Sequence, residues 1–194
     1  AGELVVFPTD TVYGIAADAF DPGAVQRLLD VKGRGRQRPA PVLAASAEQA
    51  FGLASSVPEG ARALADACWP GALTLILPAR PEQRLDLGDK NDTVALRVPA
   101  LPFALRLLEA TGPLAVSSAN LSGAPPATSC GAAQQMLGDA VAIYLDGGST
   151  PGDVPSSIVD FASSFNGRLI REGAITREDL GGIWPSLDSG VADA

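Results

Sequence analysis

The 194-residue sequence contains no histidine, two cysteines, one methionine and few aromatic residues, 5% in all. The missing histidine removes every Ser-His or Cys-His nucleophile arrangement. With Cys68 and Cys130 far apart, the usual zinc spacings go too. A disulfide is not suggested, and a reducing, cytoplasmic setting is the simpler expectation. No apolar run approaches the ~20 residues that a membrane-spanning helix needs, so no membrane association is expected. The chain opens without a methionine, straight into the strand-like Leu4-Val5-Val6-Phe7. No basic leader precedes it, and no secretion signal is expected. A Gly-Lys-Ser/Thr run of the phosphate-loop type is absent, as is a Gly-x-Gly-x-x-Gly opening a helix. Basic residues are outnumbered by acidic ones, 14 to 22, for a net charge of −8. Attraction to a polyanion therefore requires a local basic patch that overcomes the total.

What is present alternates between apolar runs and helical patterns, the mark of an α/β domain. Strands are predicted over 4–7, 73–77, 94–98, 114–117, 140–145, 157–160 and 168–170. Asp21 caps a first helix, Pro22 suits its first turn, and Val25, Leu28 and Leu29 give its buried stripe up to Lys32-Gly33. Ser46 with Gln49 resembles a capping box, and Pro58 starts a third helix ending before Pro70. Helices are also predicted over 102–110 and 132–137, and Thr176 with Asp179 opens a short last one. No linker or internal repeat divides the chain. It reads as one catalytic domain over 1–185, followed by a small polar tail over 186–194 predicted to be disordered.

Four segments carry chemistry beyond what packing needs. Pro8-Thr9-Asp10-Thr11-Val12-Tyr13-Gly14 gathers hydroxyls, a carboxylate and a phenol where the chain leaves a strand, although the same residues make a good turn. Lys32-Gly33-Arg34-Gly35-Arg36-Gln37-Arg38 follows the first helix with four cations. The C-terminus of that helix accounts for one or two of them, and guanidinium forks suit phosphate oxygens. Ser117-Ser118-Ala119-Asn120-Leu121-Ser122-Gly123 forms a ledge of small polar groups, and equally an Asx or serine turn. A serine nucleophile there lacks both a Gly-x-Ser-x-Gly elbow and a base. The last comprises Pro155-Ser156-Ser157-Ile158-Val159-Asp160 and Ile170-Arg171-Glu172-Gly173, whose serine and arginine are plausible rim groups. Arg97 interrupts the apolar run Val94-Ala95-Leu96-Arg97-Val98, and a charge placed there wants a partner or a ligand. Trp69-Pro70-Gly71 reads as a packed turn.

Taken together and in this order, these segments resemble the YrdC/TsaC family, the threonylcarbamoyl-AMP synthases, in its short single-domain form, over residues 2–173. The resemblance implies a twisted mixed β-sheet with flanking helices and a concave face that holds ATP and L-threonine. It implies carboxylation of threonine by bicarbonate, then adenylation of the carbamate with release of pyrophosphate. The product would pass to the transferase machinery that modifies adenosine in tRNA. By matching position, Lys32 and Arg34 are the catalytic candidates. Lys32, Arg34, Arg38, Thr93, Asn120, Thr128 and Arg171 would bind ATP, and Thr11, Arg97, Ser118 and Ser156 would bind threonine. Mg2+ is expected with the nucleotide, with no protein ligand identifiable and no resident metal. Leu43 departs from the pattern, standing where many relatives carry a histidine. Two rival readings are an RNA-binding or ribosome-assembly module using the basic loop, with weak RNA binding, and a related domain of other carbamoyl chemistry. Overall acidity and few stacking aromatics argue against the first, and missing zinc-finger cysteines against the second.

Overall fold

The computed structural model describes residues 2–89 and 92–188. Among them a nine-stranded mixed sheet runs in the order β7-β1-β2-β6-β3-β5-β4-β8-β9. In chain order the strands are β1 (Val5–Pro8), β2 (Tyr13–Asp18), β3 (Val42–Leu43), β4 (Leu73–Pro78), β5 (Thr93–Arg97), β6 (Leu114–Ser118), β7 (Ile143–Tyr144), β8 (Ser157–Asp160) and β9 (Arg168–Arg171). The helices are α1 (Pro22–Val31), α2 (Ala47–Phe51), α3 (Glu59–Cys68), α4 (Pro102–Thr111), α5 (Cys130–Leu137) and α6 (Arg177–Ile183).

The helix punctuation behaves as the sequence dictates. Asp21 accepts the amides of Gly23 and Ala24 at 2.9 and 3.1 Å, satisfying donors that the first turn leaves unpaired. Ala24, Val25, Leu28 and Leu29 form the buried stripe of α1. Gly33 then takes a positive φ of 57°, which ends the helix and turns the basic loop. Thr176 and Asp179 close a reciprocal capping box on α6. At α2 the box is half made: Ser46 accepts from Gln49, but the Gln49 side chain accepts from Ala45 instead.

Other expectations needed correction. Strand β2 was missed, because Tyr-Gly-Ile-Ala-Ala-Asp has neither alternation nor β-branched residues beyond Ile15. Buried on both faces, it needs no polar alternation, and Gly14 and the alanines admit its neighbours. The two-residue β3 gave no signal at all. The run predicted over 140–145 shrinks to Ile143–Tyr144, since a 3-10 turn occupies Gly138–Ala140. Of the tail predicted to be disordered, Asp188 bonds to Gly167 and bridges Arg168, while residues 189–194 lie outside the described ones.

Side-chain alternation sorts the sheet into two faces. One carries Val6, Tyr13, Ile15, Val42, Leu73, Leu75, Leu77, Val94 and Leu96, packed under α1, α3, α5 and α6. Each fully buried leucine there contributes about 1.5–3 kcal/mol relative to exposure. Trp69 joins this core as expected, 9% exposed, its indole N–H donating to the Leu73 carbonyl at 2.7 Å. The other face is covered only at one end, where α4 sets Ala104 and Leu108 on Phe7, Ala16, Leu43, Leu114 and Val116. Beyond α4 this face turns Thr74, Ile76, Ala95, Arg97 and Ile158 into a cavity. The uncovered half of the sheet floors the candidate site.

Candidate active site

The cavity encloses about 420 Å³, within the range of small-ligand pockets. Its floor is the open sheet face. Its walls are the β1–β2 turn, the basic loop after α1, the end of β6, the segment entering β8 and the end of β9, through Thr9, Thr11, Arg34, Arg38, Ser117, Ser118, Pro155, Ser156 and Arg171. Arg34, Arg38, Arg97 and Arg171 thus converge on one hollow in a protein of net charge −8.

The four guanidiniums differ in how they are held. Arg97, at the end of β5, is 6% exposed. Its Nη2 donates to Asp10 Oδ1 at 2.8 Å, its Nη1 to Thr11 Oγ1 at 3.0 Å and its Nε to the Gly71 carbonyl at 2.9 Å. Burial pushes its pKa down, and the Asp10 carboxylate opposes that shift. Arg171 is fastened to Ser156, donating through Nε and Nη2 to its carbonyl at 3.1 and 2.8 Å. The Ser156 hydroxyl in turn bonds that of Thr74 at 2.8 Å. Burial lowers the Arg171 pKa, and repulsion from Arg34 and then Arg97 adds to it, so these three charges feel one another across the cavity. Arg34 is lowered by burial and then by Arg38, and makes only a 3.4 Å contact with Ser117 Oγ. Among the described residues neither Arg34, Arg38 nor Arg171 has a carboxylate within ion-pair distance. Arg34 is half-buried, while Arg38 and Arg171 are exposed, so these charges stay hydrated and available to an incoming anion.

The basic loop is not a uniform cationic strip. Arg36 leaves the cavity and pairs with Asp86 and Asp89. Lys32 turns inward, 5% exposed, and its ammonium donates to the carbonyls of Ser118 and Asn120 and to Asn120 Oδ1, the first and last at 2.6 and 2.8 Å. Burial, then repulsion from Arg34, lowers its pKa to about 8. The Asn120 amide nitrogen donates to the carbonyls of Leu121 and Ala124.

Of the residues singled out from the sequence, Arg34, Arg38, Arg171, Thr11, Arg97, Ser118 and Ser156 line the cavity together. Lys32 and Asn120 do not enter its wall. They sit behind it as the brace of the β6 exit loop, because a lysine with three acceptor oxygens has no donor left. Thr93 shares a face of β5 with Ala95 and Arg97 but lines an adjoining cleft of about 470 Å³, with Asp92, Asp160, Ser163 and Arg168. The two hollows meet over Pro39, Ile76 and Ala95. Thr128 lies in neither wall; its carbonyl accepts the Thr150 amide at 2.9 Å. Sequence reading passed over Thr74, although a hydroxyl among Leu73, Leu75 and Leu77 on a strand beside Arg97 was a signal. Leu43 forms part of the apolar wall, with Val116.

The Sua5/YciO/YrdC family model, described as telomere recombination, matches residues 1–173. A Mycobacterium tuberculosis protein bearing a provisional threonylcarbamoyl-AMP synthase name is 50% identical over 180 residues, 93% of this chain and 82% of its own. A threonylcarbamoyl-AMP synthase of Pyrococcus abyssi is 39% identical over 180 residues, 92% of this chain. This chain spans about half of that protein, 53%. The structure of P. abyssi Sua5 complexed with L-threonine superposes with a TM-score of 0.87 at 35% identity, covering 100% of this chain and 59% of that one. A match along nearly the whole sequence, together with the same fold at this identity, places the chain in the Sua5/YciO/YrdC family.

Proposed function

We propose that this chain is a threonylcarbamoyl-AMP synthase, an ATP-using nucleotidyltransferase that makes L-threonylcarbamoyladenylate from L-threonine, bicarbonate and ATP. The observation that carries the reading is the convergence of Arg34, Arg38, Arg97 and Arg171 on one cavity with Asp10, among the described residues, as their single paired carboxylate. The names borne by the relatives and the threonine bound to P. abyssi Sua5 support it.

In this reading the threonine carboxylate takes the N–H groups of Arg97 left after Asp10, Thr11 and Gly71, with Thr11, Ser118 and Ser156 nearby. The triphosphate lies across Arg34, Arg38 and Arg171, and the nucleoside extends toward Thr93. The threonine nitrogen adds to the bicarbonate carbon and water leaves, giving a carbamate. A carbamate oxygen then attacks the α-phosphorus, the α–β bridging bond breaks and pyrophosphate departs. Two anions must approach, and at 4 Å two unit charges repel by about 1 kcal/mol in water and about 4 kcal/mol near a protein surface. Fixed guanidiniums offset that repulsion as the bond forms, so positioning and electrostatics suffice without a protein nucleophile. Lys32 and Asn120 serve by shaping the β6 exit loop. Among the described residues no cluster of three or more His, Cys, Asp or Glu could hold a metal. Mg2+ would accompany the nucleotide on its phosphates, and no step above runs through it. The product, a mixed carbamic–phosphoric anhydride, would go to a tRNA-modifying transferase in the cytoplasm. No helix among the described residues is long and apolar enough to cross a membrane.

The RNA-module reading loses its main support in the geometry. Lys32 is buried, Arg36 is paired with Asp86 and Asp89, and Arg34 lines the hollow, so of the loop's four cations only Arg38 is both exposed and unpaired among the described residues. Pyrophosphate release is expected to require ATP, bicarbonate and L-threonine together. Release that continues unchanged without threonine would defeat the substrate reading.

A further inference from the structure

We infer that Asp10 is a positioning residue for substrate recognition: it stands behind Arg97 and fixes the plane in which that guanidinium meets a carboxylate. The inference rests on the synthase reading and deepens it at the residues proposed to hold the amino acid.

Asp10 and Arg97 come from opposite parts of the chain, the β1–β2 turn and the end of β5, and meet at 2.8 Å with both side chains largely buried. Among the described residues each is the other's only ion-pair partner. Arg97 lines the cavity and Asp10 does not, so the carboxylate holds the guanidinium from outside the cavity lining. One anchor would leave the group free to rotate. Here three nitrogens are pinned from three directions: Nη2 by Asp10, Nη1 by Thr11 and Nε by the Gly71 carbonyl. The Thr11 hydroxyl is itself held 3.0 Å from that of Thr9, whose hydroxyl donates to the Val12 carbonyl at 2.7 Å. Of the five N–H groups of arginine, two remain for an incoming carboxylate, and their direction is set before it arrives. Pre-set donors cost little ordering on binding.

The carboxylate also opposes the attraction, since it neutralises a cation that an anionic group would otherwise meet unpaired. Orientation and dilution predict opposite signs when the charge is removed, and the sign decides. Asp10→Asn keeps the size and removes the charge. L-Threonine and a non-hydrolysable ATP analogue would be titrated calorimetrically into wild-type and variant protein, with thermal melting alongside. If Asp10 orients Arg97, the threonine Kd rises at least tenfold in D10N while the analogue's Kd stays within twofold. Equal or tighter threonine binding overturns the inference, because dilution then outweighs orientation. A parallel loss of both ligands also overturns it, since the role would be merely structural. Should D10N fail to fold, Asp10→Glu retains the charge one methylene further out and decides alone. A threonine-selective weakening of about threefold or more supports positioning, and unchanged or non-selective binding overturns it. Wild-type protein that binds no threonine would overturn both readings, whereas a wild type that binds, beside an indifferent D10N, overturns this one only.

Discussion

The cavity holds two kinds of arginine that are electrostatically unlike. Arg97 is pinned and matched by Asp10. Among the described residues Arg34, Arg38 and Arg171 face the hollow without a carboxylate, and burial with repulsion from neighbouring arginines lowers Arg34 and Arg171. A compensated arginine suits a small zwitterion whose own charges sum to zero. An uncompensated trio suits a triphosphate, which supplies the missing anions. One residue type thus makes two kinds of site, and the difference lies in whether the protein or the ligand provides the counter-charge.

The sharpest way to break this comparison is Arg34→Ala. Removing a donor aimed at developing charge costs about 10²–10³ in turnover in comparable settings, and a loss of that size in pyrophosphate release is expected. Because Arg34 repels Arg38 and Arg171 and contacts only Ser117 at 3.4 Å, the melting temperature should hold or rise. A lower melting temperature with intact turnover would make Arg34 structural. Arg171→Gln is expected to be milder, about ten- to 150-fold in nucleotide affinity, in line with about 1.5–3 kcal/mol for a hydrogen bond to a charged group. Salt offers a test without mutation. Raising NaCl from about 50 to about 500 mM shortens the screening length severalfold. Nucleotide affinity should fall markedly while threonine affinity changes little, and equal sensitivity would erase the distinction between the two kinds of arginine.

Much of this was legible in the sequence, for reasons that can be located. The caps at Asp21 and Thr176 are local chemistry, and they formed as read. Arg97 declared itself as a charge inside an apolar strand, and the structure supplies both the partner and the cavity that such a charge requires. Strand β2 stayed hidden because a strand buried on both faces shows no alternation, and Gly14 and Ala16 carry little strand propensity. The basic loop was read as one unit, yet its cations part ways. Which way a loop side chain turns depends on what other segments bring to it, and the β6 carbonyls that capture Lys32 lie 86 to 88 positions away. Spacing within the loop holds no record of them.

The buried lysine gives a subtler test. Folding lowers the Lys32 pKa to about 8 from its usual 10.5, so between those values the unfolded chain holds the proton that the folded chain has released. More protons on the unfolded side means that stability rises with pH through this window, and below about 8 the dependence disappears because both states are charged. Lys32→Met should flatten that part of a stability–pH profile measured by urea unfolding. A variant with the wild-type slope would show that the proton stays on Lys32 in the fold.

The smallest effect is expected at Arg36, and it bears most directly on how the loop is divided. Arg36 sits two positions from Arg34 and two from Arg38, so a loop acting as a diffuse cationic strip would make all three roughly interchangeable. The structure instead pairs Arg36 with Asp86 and Asp89, half exposed and away from the hollow. Exposed pairs of this kind add little to stability, because water screens them and two side chains must be held in place. Arg36→Ala should therefore leave pyrophosphate release at the wild-type rate and lower the melting temperature only slightly. Turnover falling alongside that of Arg34→Ala would mean that the triphosphate reads the charge of the whole loop, and the matched and unmatched arginines would then differ in amount of charge rather than in kind.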